Sequence, residues 1–201
     1  MWTNFRFLSL LTAAIAIATW GSLCFAGGAN ARDAQTASVR DGSHDFDFLY
    51  GAWLMHNWRQ TKPLSGSQVW AKFDATDKCE PLPGGLGNED VMRTDQFFKK
   101  GFVGLTIRLY DPTTGLWRLY WVDNMNSHGD AGQPNIGKFS GNVGIFDEKL
   151  TYHGKPVIDR YTWTKFGKGA KVAAHFEESM SQDGGKTWEV IFKNDLIRSG
   201  K

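Results

Sequence analysis

His175 and Glu177, two residues apart in "AHFEESM", are the pair best suited by type and spacing to exchange protons with a bound molecule. Residues i and i+2 share one face of a strand, so the two side chains stand side by side if this segment is extended. Counting outward from the Gly184-Gly185 turn aligns Trp188, Val190, Phe192, Asn194 and Leu196 with Ser179, Glu177 and His175. Counting across residues 167–171 brings Asp159, Tyr161 and Trp163 to the same face. His175, Glu177, Tyr161 and Asp159 would then form an acid–base constellation among large rings. Turned to water, or fully satisfied inside, the same residues would only fix the structure. The other face holds Arg160 opposite Glu178, beside Phe176, Ile191 and Met180, and a single bulge would exchange the two sides.

Other chemistries have weaker sequence support. The five histidines, His44, His56, His128, His153 and His175, show no zinc-type spacing, which leaves His128 or His175 as the candidates if a haem or metal were held. "SQDGGKTW" fits one Asp box of the sialidase propellers, but a propeller needs one per blade, so it is read as hairpin chemistry with Asp183 accepting turn amides. "PLPGGLGNED", residues 81–90, leads into no helix, so it is read as a close-packed corner rather than a phosphate cradle, with Asn88 bonded to nearby backbone. The polar stretch 123–135, "DNMNSHGDAGQPN", is the longest connection and a lid candidate, with Asp123 at its root.

The elements that must position these residues begin after an expected leader. Arg6 precedes an uncharged apolar stretch from Phe7 to Ala31 with small residues for cleavage after Ala26 or Ala31, the plan of a signal peptide. An uncleaved anchor is the rival reading, since about 20 apolar residues span a bilayer. The mature protein is expected in the periplasm or outside the cell, with no membrane span after cleavage. Residues 32–43 lack apolar periodicity and are expected to form a mobile arm, leaving one domain over 44–201. Lys and Arg number 23 against 21 Asp and Glu, too even a balance for a nucleic-acid surface. Without Cys24, Cys79 has no disulfide partner, so seven tryptophans beyond the leader must carry much of the stability through packing.

From Tyr50 onward, β-branched and aromatic runs alternate with turn residues, the pattern of an antiparallel all-β domain. The clearest hairpin is "VGLTIRLYDPTTGLWRLYWVD", turning at residues 111–115. Pairing Tyr110 with Leu116 puts Leu105, Ile107, Leu109, Trp117, Leu119 and Trp121 on the core side. It leaves Thr106, Arg108, Tyr110, Arg118 and Tyr120 in solvent, with Arg108 and Arg118 opposed. About eight to ten strands with short connections and no covering helix favour a closed up-and-down barrel, which leaves no exposed edge.

Gly51 and Trp53 opening the first strand after "HDFDFLY", with Arg198 ending the last, resemble the signature of the calycin superfamily, the lipocalins and their relatives. That resemblance implies a short N-terminal plug, with Phe46 and Phe48 in it, and Arg198 lying across the Trp53 indole. "HDFDFLYGAW", "PLPGGLGN", "RLYDPTTGLWRLYWVD" and "DGGKTWE" in this order resemble an uncharacterised bacterial family of small lipocalin-like proteins. It implies a fold but no catalytic residues.

The sequence therefore points to an exported barrel holding a small hydrophobic or amphipathic molecule at its open end, with no cofactor. Trp117, Trp121, Trp163 and Phe192 would give contact area, and Asp123, Tyr161, His175, Glu177 and Asn194 would orient the ligand. The alternatives are a small acid–base isomerase or hydrolase using His175 and Glu177, and a solid barrel serving protein contacts. The oligomeric state is left open.

Overall fold

A computed structural model describes residues 40–97, 100–167 and 170–199. The expected leader and residues 32–39 of the expected arm lie outside the described residues. The described residues form ten strands: β1 Gly51–Gln60, β2 Trp70–Pro81, β3 Gly87–Thr94, β4 Phe102–Asp111, β5 Leu116–Asp123, β6 Asn135–Ser140, β7 Val143–Tyr152, β8 Lys155–Lys165, β9 Ala174–Ser181 and β10 Glu189–Arg198. Each pairs antiparallel with its sequence neighbours, and β1 closes on β10 through Trp53↔Arg198 to Arg59↔Phe192. The architecture is thus an all-β, closed, up-and-down barrel. Among the described residues, no helix is long and apolar enough to cross a membrane.

Period-two alternation sorts the side chains. Along β1, Trp53, Met55 and Asn57 are buried while Leu54, His56 and Trp58 between them are not. Along β4, however, the inward set is Phe102, Gly104, Thr106, Arg108 and Tyr110, and the outward set is the more apolar Val103, Leu105, Ile107 and Leu109. This corrects the hairpin register. Tyr110 pairs with Trp117, and Asp111 with Leu116, because the Gly115 amide bonds back to the Asp111 carbonyl around a four-residue turn. The shift of one residue turns β4 over. Arg108 goes inside, and Arg118 stays outside on Asp111 at 3.2 Å.

The same displacement occurs at β9. The connection after β8 carries six residues, 167–172, between the bonded pair Phe166 and Ala173, one more than the sequence count assumed. In β10, Val190 faces Ser179 but Phe192 faces Glu178, so Ile191 is an extra residue at a bulge. β8 keeps its expected inward set, and β10 keeps its own only from Phe192 onward: before the bulge, Val190 faces Ser179 on the outer side and Trp188 covers Arg160 there, so these two leave the expected inward face, while β9 is reversed. Phe176 and Glu178 therefore face in, and His175 and Glu177 face out. Arg160 pairs with Ser179 rather than Glu178, and its guanidinium binds Asp147 at 2.7 Å while lying 3.9 Å from the Trp188 ring centroid.

One barrel end is closed by residues 42–50, including a 3-10 turn at Asp47–Leu49. Phe46 is wholly buried, edge-on to Trp117 at 5.0 Å and to Phe139 at 5.1 Å. Burying such a ring contributes about 1.5–3 kcal/mol. Four hydrogen bonds seat the plug. Trp117 Nε1 donates to the Gly42 carbonyl at 3.0 Å, Trp53 Nε1 to the Leu49 carbonyl at 2.6 Å, and the Arg198 guanidinium to the Tyr50 and Phe48 carbonyls at 2.5 and 3.1 Å. Residues 40–43, assigned by sequence to the arm, thus include backbone fixed to the barrel, since the Gly42 amide also donates to Tyr110 Oη at 2.8 Å.

Candidate functional site

Above the plug the barrel is hollow. A cavity of about 260 Å³ lies between the strands, against about 150 Å³ for a cavity that admits benzene. Its apolar wall includes Phe73, Phe97, Phe102, Trp121, Phe176 and Phe192, one or more from each side of the barrel. Gly104 makes room for the lining, because a Cβ there would sit 2.1 Å from the Trp121 ring.

The floor is ionic. Arg108, on β4, forms a close ion pair with Asp90, on β3, and donates from Nη1 to Asn88 Oδ1 at 3.1 Å. Its guanidinium lies 5.0 Å from the Phe46 centroid and 5.4 Å from that of Trp163, so cation–π attraction partly replaces lost water. Asn88 thus serves this arginine, not the backbone that the sequence suggested. Beside them, burial pushes the Asp77 carboxyl up to about 8, helped by the Asp90 charge and opposed by Arg108. Burial also pushes the neighbouring Cys79 thiol up to about 12, leaving it an inert packed group.

A second acidic group lies on the β8–β9 wall. Glu178 projects into the cavity, and burial pushes it up to about 8, with Asp159 adding to the effect and Arg59 opposing it. Asp159 is pushed up to about 7 by burial, despite the hydrogen bond from Asn135 Nδ2 at 3.1 Å. Burial raises the Tyr161 hydroxyl, so it stays a neutral donor throughout the physiological range.

The mouth is shaped by the 123–135 connection. Asp123 Oδ1 accepts the Met125 and Asn126 amides at 2.8 and 2.7 Å, and Oδ2 accepts Trp121 Nε1 at 3.3 Å. Burial alone would raise the Asp123 carboxyl, but these donors outweigh it and hold the group below its ordinary value.

Of the residues expected from sequence, Trp121, Asp123, Tyr161, Trp163, Phe192 and Asn194 line this one cavity. Trp117 is inside but packs on the plug. His175 and Glu177 are not in it. On the outer face, His175 Nδ1 meets Asp195 Oδ1 at 2.6 Å and Nε2 meets Glu177 Oε1 at 3.2 Å. Among the described residues, no group of three His, Cys, Asp or Glu side chains is placed to hold a metal ion. The hairpin at 181–188 is as its chemistry suggests, Asp183 accepting the Lys186 and Thr187 amides at 2.9 Å.

The sequence reading missed Arg59, Asp77, Asp90, Arg108 and Glu178. For Asp77 a signal exists: Phe73, Ala75 and Cys79 alternate inward along β2, and Asp77 falls in the same phase. Compared with models of known protein families and with curated proteins, the chain matches none.

Proposed function

We propose that this protein is an exported, lipocalin-like carrier or sensor that holds a small, partly apolar molecule inside its barrel. The observation that carries the reading is one hollow in which aromatic rings converge with a few ionisable groups, Glu178 and Asp77 foremost. Kinship with the calycins is supported by the Gly51, Trp53 and Arg198 arrangement, where the Arg198 guanidinium lies 3.9 Å from the Trp53 centroid. Export rests on the leader's composition. The cavity suits a molecule of one or two rings rather than a long chain.

Native mass spectrometry of the protein purified from its own periplasm tests this directly. A retained small-molecule mass, lost on unfolding, is expected. An empty protein that also takes up no small aromatic compound would refute the reading.

Acid–base catalysis on the same barrel is a second reading, favoured by the two cavity carboxyls raised to about 8, near the operating range of a general acid. It requires a compound whose turnover is lost in Asp77→Asn while its binding persists.

A further inference from the structure

The unsatisfied chemistry of the cavity suggests the class of molecule it holds. Glu178 enters it from β9; Arg59 acts on it through charge, but among the described residues no side-chain hydrogen bond or close ion pair is formed by its carboxyl. Around it stand three rings: Tyr161 lies 5.1 Å from Phe176, and Phe176 lies 6.1 Å from Phe192. On the adjoining strand, Asn194 is 3% exposed and its Oδ1 has no hydrogen-bond partner among the described residues. A carboxyl with no bonded donor, an orphan amide oxygen and a ring of π faces would all be satisfied by the same thing, a compact cation carrying N–H donors.

The titratable lining agrees. Asp77, Asp90, Asp123 and Glu178 border the cavity against two arginines, Arg59 and Arg108. Arg108 is committed to Asp90 and Asn88, and the Arg59 guanidinium lies 5.4 Å from the Phe97 centroid. With Asp77 and Glu178 protonated, the remaining lining charges, Asp90 and Asp123 against Arg59 and Arg108, balance. Burial outweighs the opposing charge of Arg59 and holds Glu178 largely neutral, and an incoming cation would allow it to ionise.

We propose that the cavity takes a protonated primary amine with a small aromatic or short aliphatic body. The ammonium would sit on the Glu178 carboxylate and Asn194 Oδ1, within the Tyr161, Phe176 and Phe192 rings. The inference rests on the binding reading above and narrows it to one ligand chemistry. Binding must release the Glu178 proton. The groups facing that carboxyl are Arg59 from β1, Asp159 and Tyr161 from β8, uncharged Phe192 and Asn194 from β10, and Asp77, Asp90 and Arg108 across the hollow. Asp77 and Asp159 also titrate near neutrality, but Glu178 is the carboxyl that stands opposite both Tyr161 and Phe192 in the strand register, among the rings proposed to hold the ammonium.

Calorimetric titration of the mature protein with 2-phenylethylamine, 2-phenylethanol and 3-phenylpropanoate at pH 7 tests the assignment. The amine is expected to bind at least about tenfold tighter than the alcohol, with close to one proton released, read from buffers of different ionisation enthalpy. Glu178→Gln is expected to abolish the preference and the proton release while the alcohol still binds. Should that variant not fold, the wild-type pH profile decides: amine affinity rises several-fold from pH 6 to pH 8, and alcohol affinity does not. Equal binding of amine and alcohol, or tightest binding of the propanoate, would overturn the amine assignment and leave the binding cavity standing. Failure of all three to bind would overturn the assignment, and an empty native mass spectrum beside it would remove the cavity reading as well.

Discussion

Arg108 and Asp90 form an ion pair sealed inside the barrel, with side-chain exposures of 2% and 9%. At that depth the mutual attraction roughly offsets the cost of leaving water, but removal of one partner strands the other. Arg108→Met or Asp90→Leu alone is expected to cost about 3–5 kcal/mol in urea unfolding. The double variant is expected to cost less than either single one. A double variant as damaged as the sum would show that the two residues do not act as a pair.

At the plugged end, Arg198 is exposed yet bonds two plug carbonyls while covering Trp53. Cation–π attraction and charged hydrogen bonds together support a loss of about 1–3 kcal/mol in Arg198→Ala. Arg198→Lys should recover part of it, since an ammonium keeps the charge but cannot reach both carbonyls from one plane. Gly51 beside it is also constrained: its φ is +111° and a Cβ would sit 2.9 Å from Arg198 Nη1. Thermal unfolding of the two Arg198 variants measures the ordering.

Asp77 and Glu178 are both raised by burial from ordinary values of 3.8 and 4.5 to about 8. Between those limits the folded protein binds more protons than the unfolded chain, so stability falls as pH rises from about 4 to about 8. Above that window both states are ionised and the trend ends. The Asp77→Asn, Glu178→Gln double variant should flatten this slope, because its amides do not titrate. Urea midpoints at pH 5, 6.5 and 8 provide the check, and an unchanged slope would remove these carboxyls as its cause.

Gly87 adopts φ +141°, and a Cβ there would lie 1.9 Å from the Arg108 carbonyl. β3 and β4 can come this close only without a side chain. Gly87→Ala is expected to prevent a well-ordered barrel, seen as loss of near-ultraviolet circular dichroism from the packed tryptophans. Gly66→Ala, where nothing lies within 4 Å of the added Cβ, controls for positive φ alone.

What could be read from the residues was phase within single strands; what could not was the pairing between them. The Asp-Pro-Thr-Thr-Gly turn located the β4–β5 hairpin correctly, yet a one-residue difference in its closing pair decided whether Arg108 faced water or the cavity. Apolarity misled there because β4 is more hydrophobic outside, at Leu105, Ile107 and Leu109, than inside, where Arg108 relies on Asp90 and two rings. At β9 the bulge at Ile191 and the six-residue connection each shifted the count by one, and both shifts reversed the same strand. His175 and Glu177 consequently exchanged places with Phe176 and Glu178. Trp121, Tyr161, Trp163, Phe192 and Asn194 were legible because β5, β8 and the part of β10 beyond its bulge kept the expected phase.

Binding as proposed requires that the hollow itself, not the outer face of the barrel, receive the molecule. Amide chemical-shift mapping of the isotope-labelled mature protein, titrated with 2-phenylethylamine and then 2-phenylethanol, localises binding residue by residue. Saturable shifts are expected at Thr106, Trp121, Phe176, Glu178, Phe192 and Asn194, which line the cavity. Shifts confined to outward-facing positions such as Leu105, Ile107 and His175, or none at all, would contradict it.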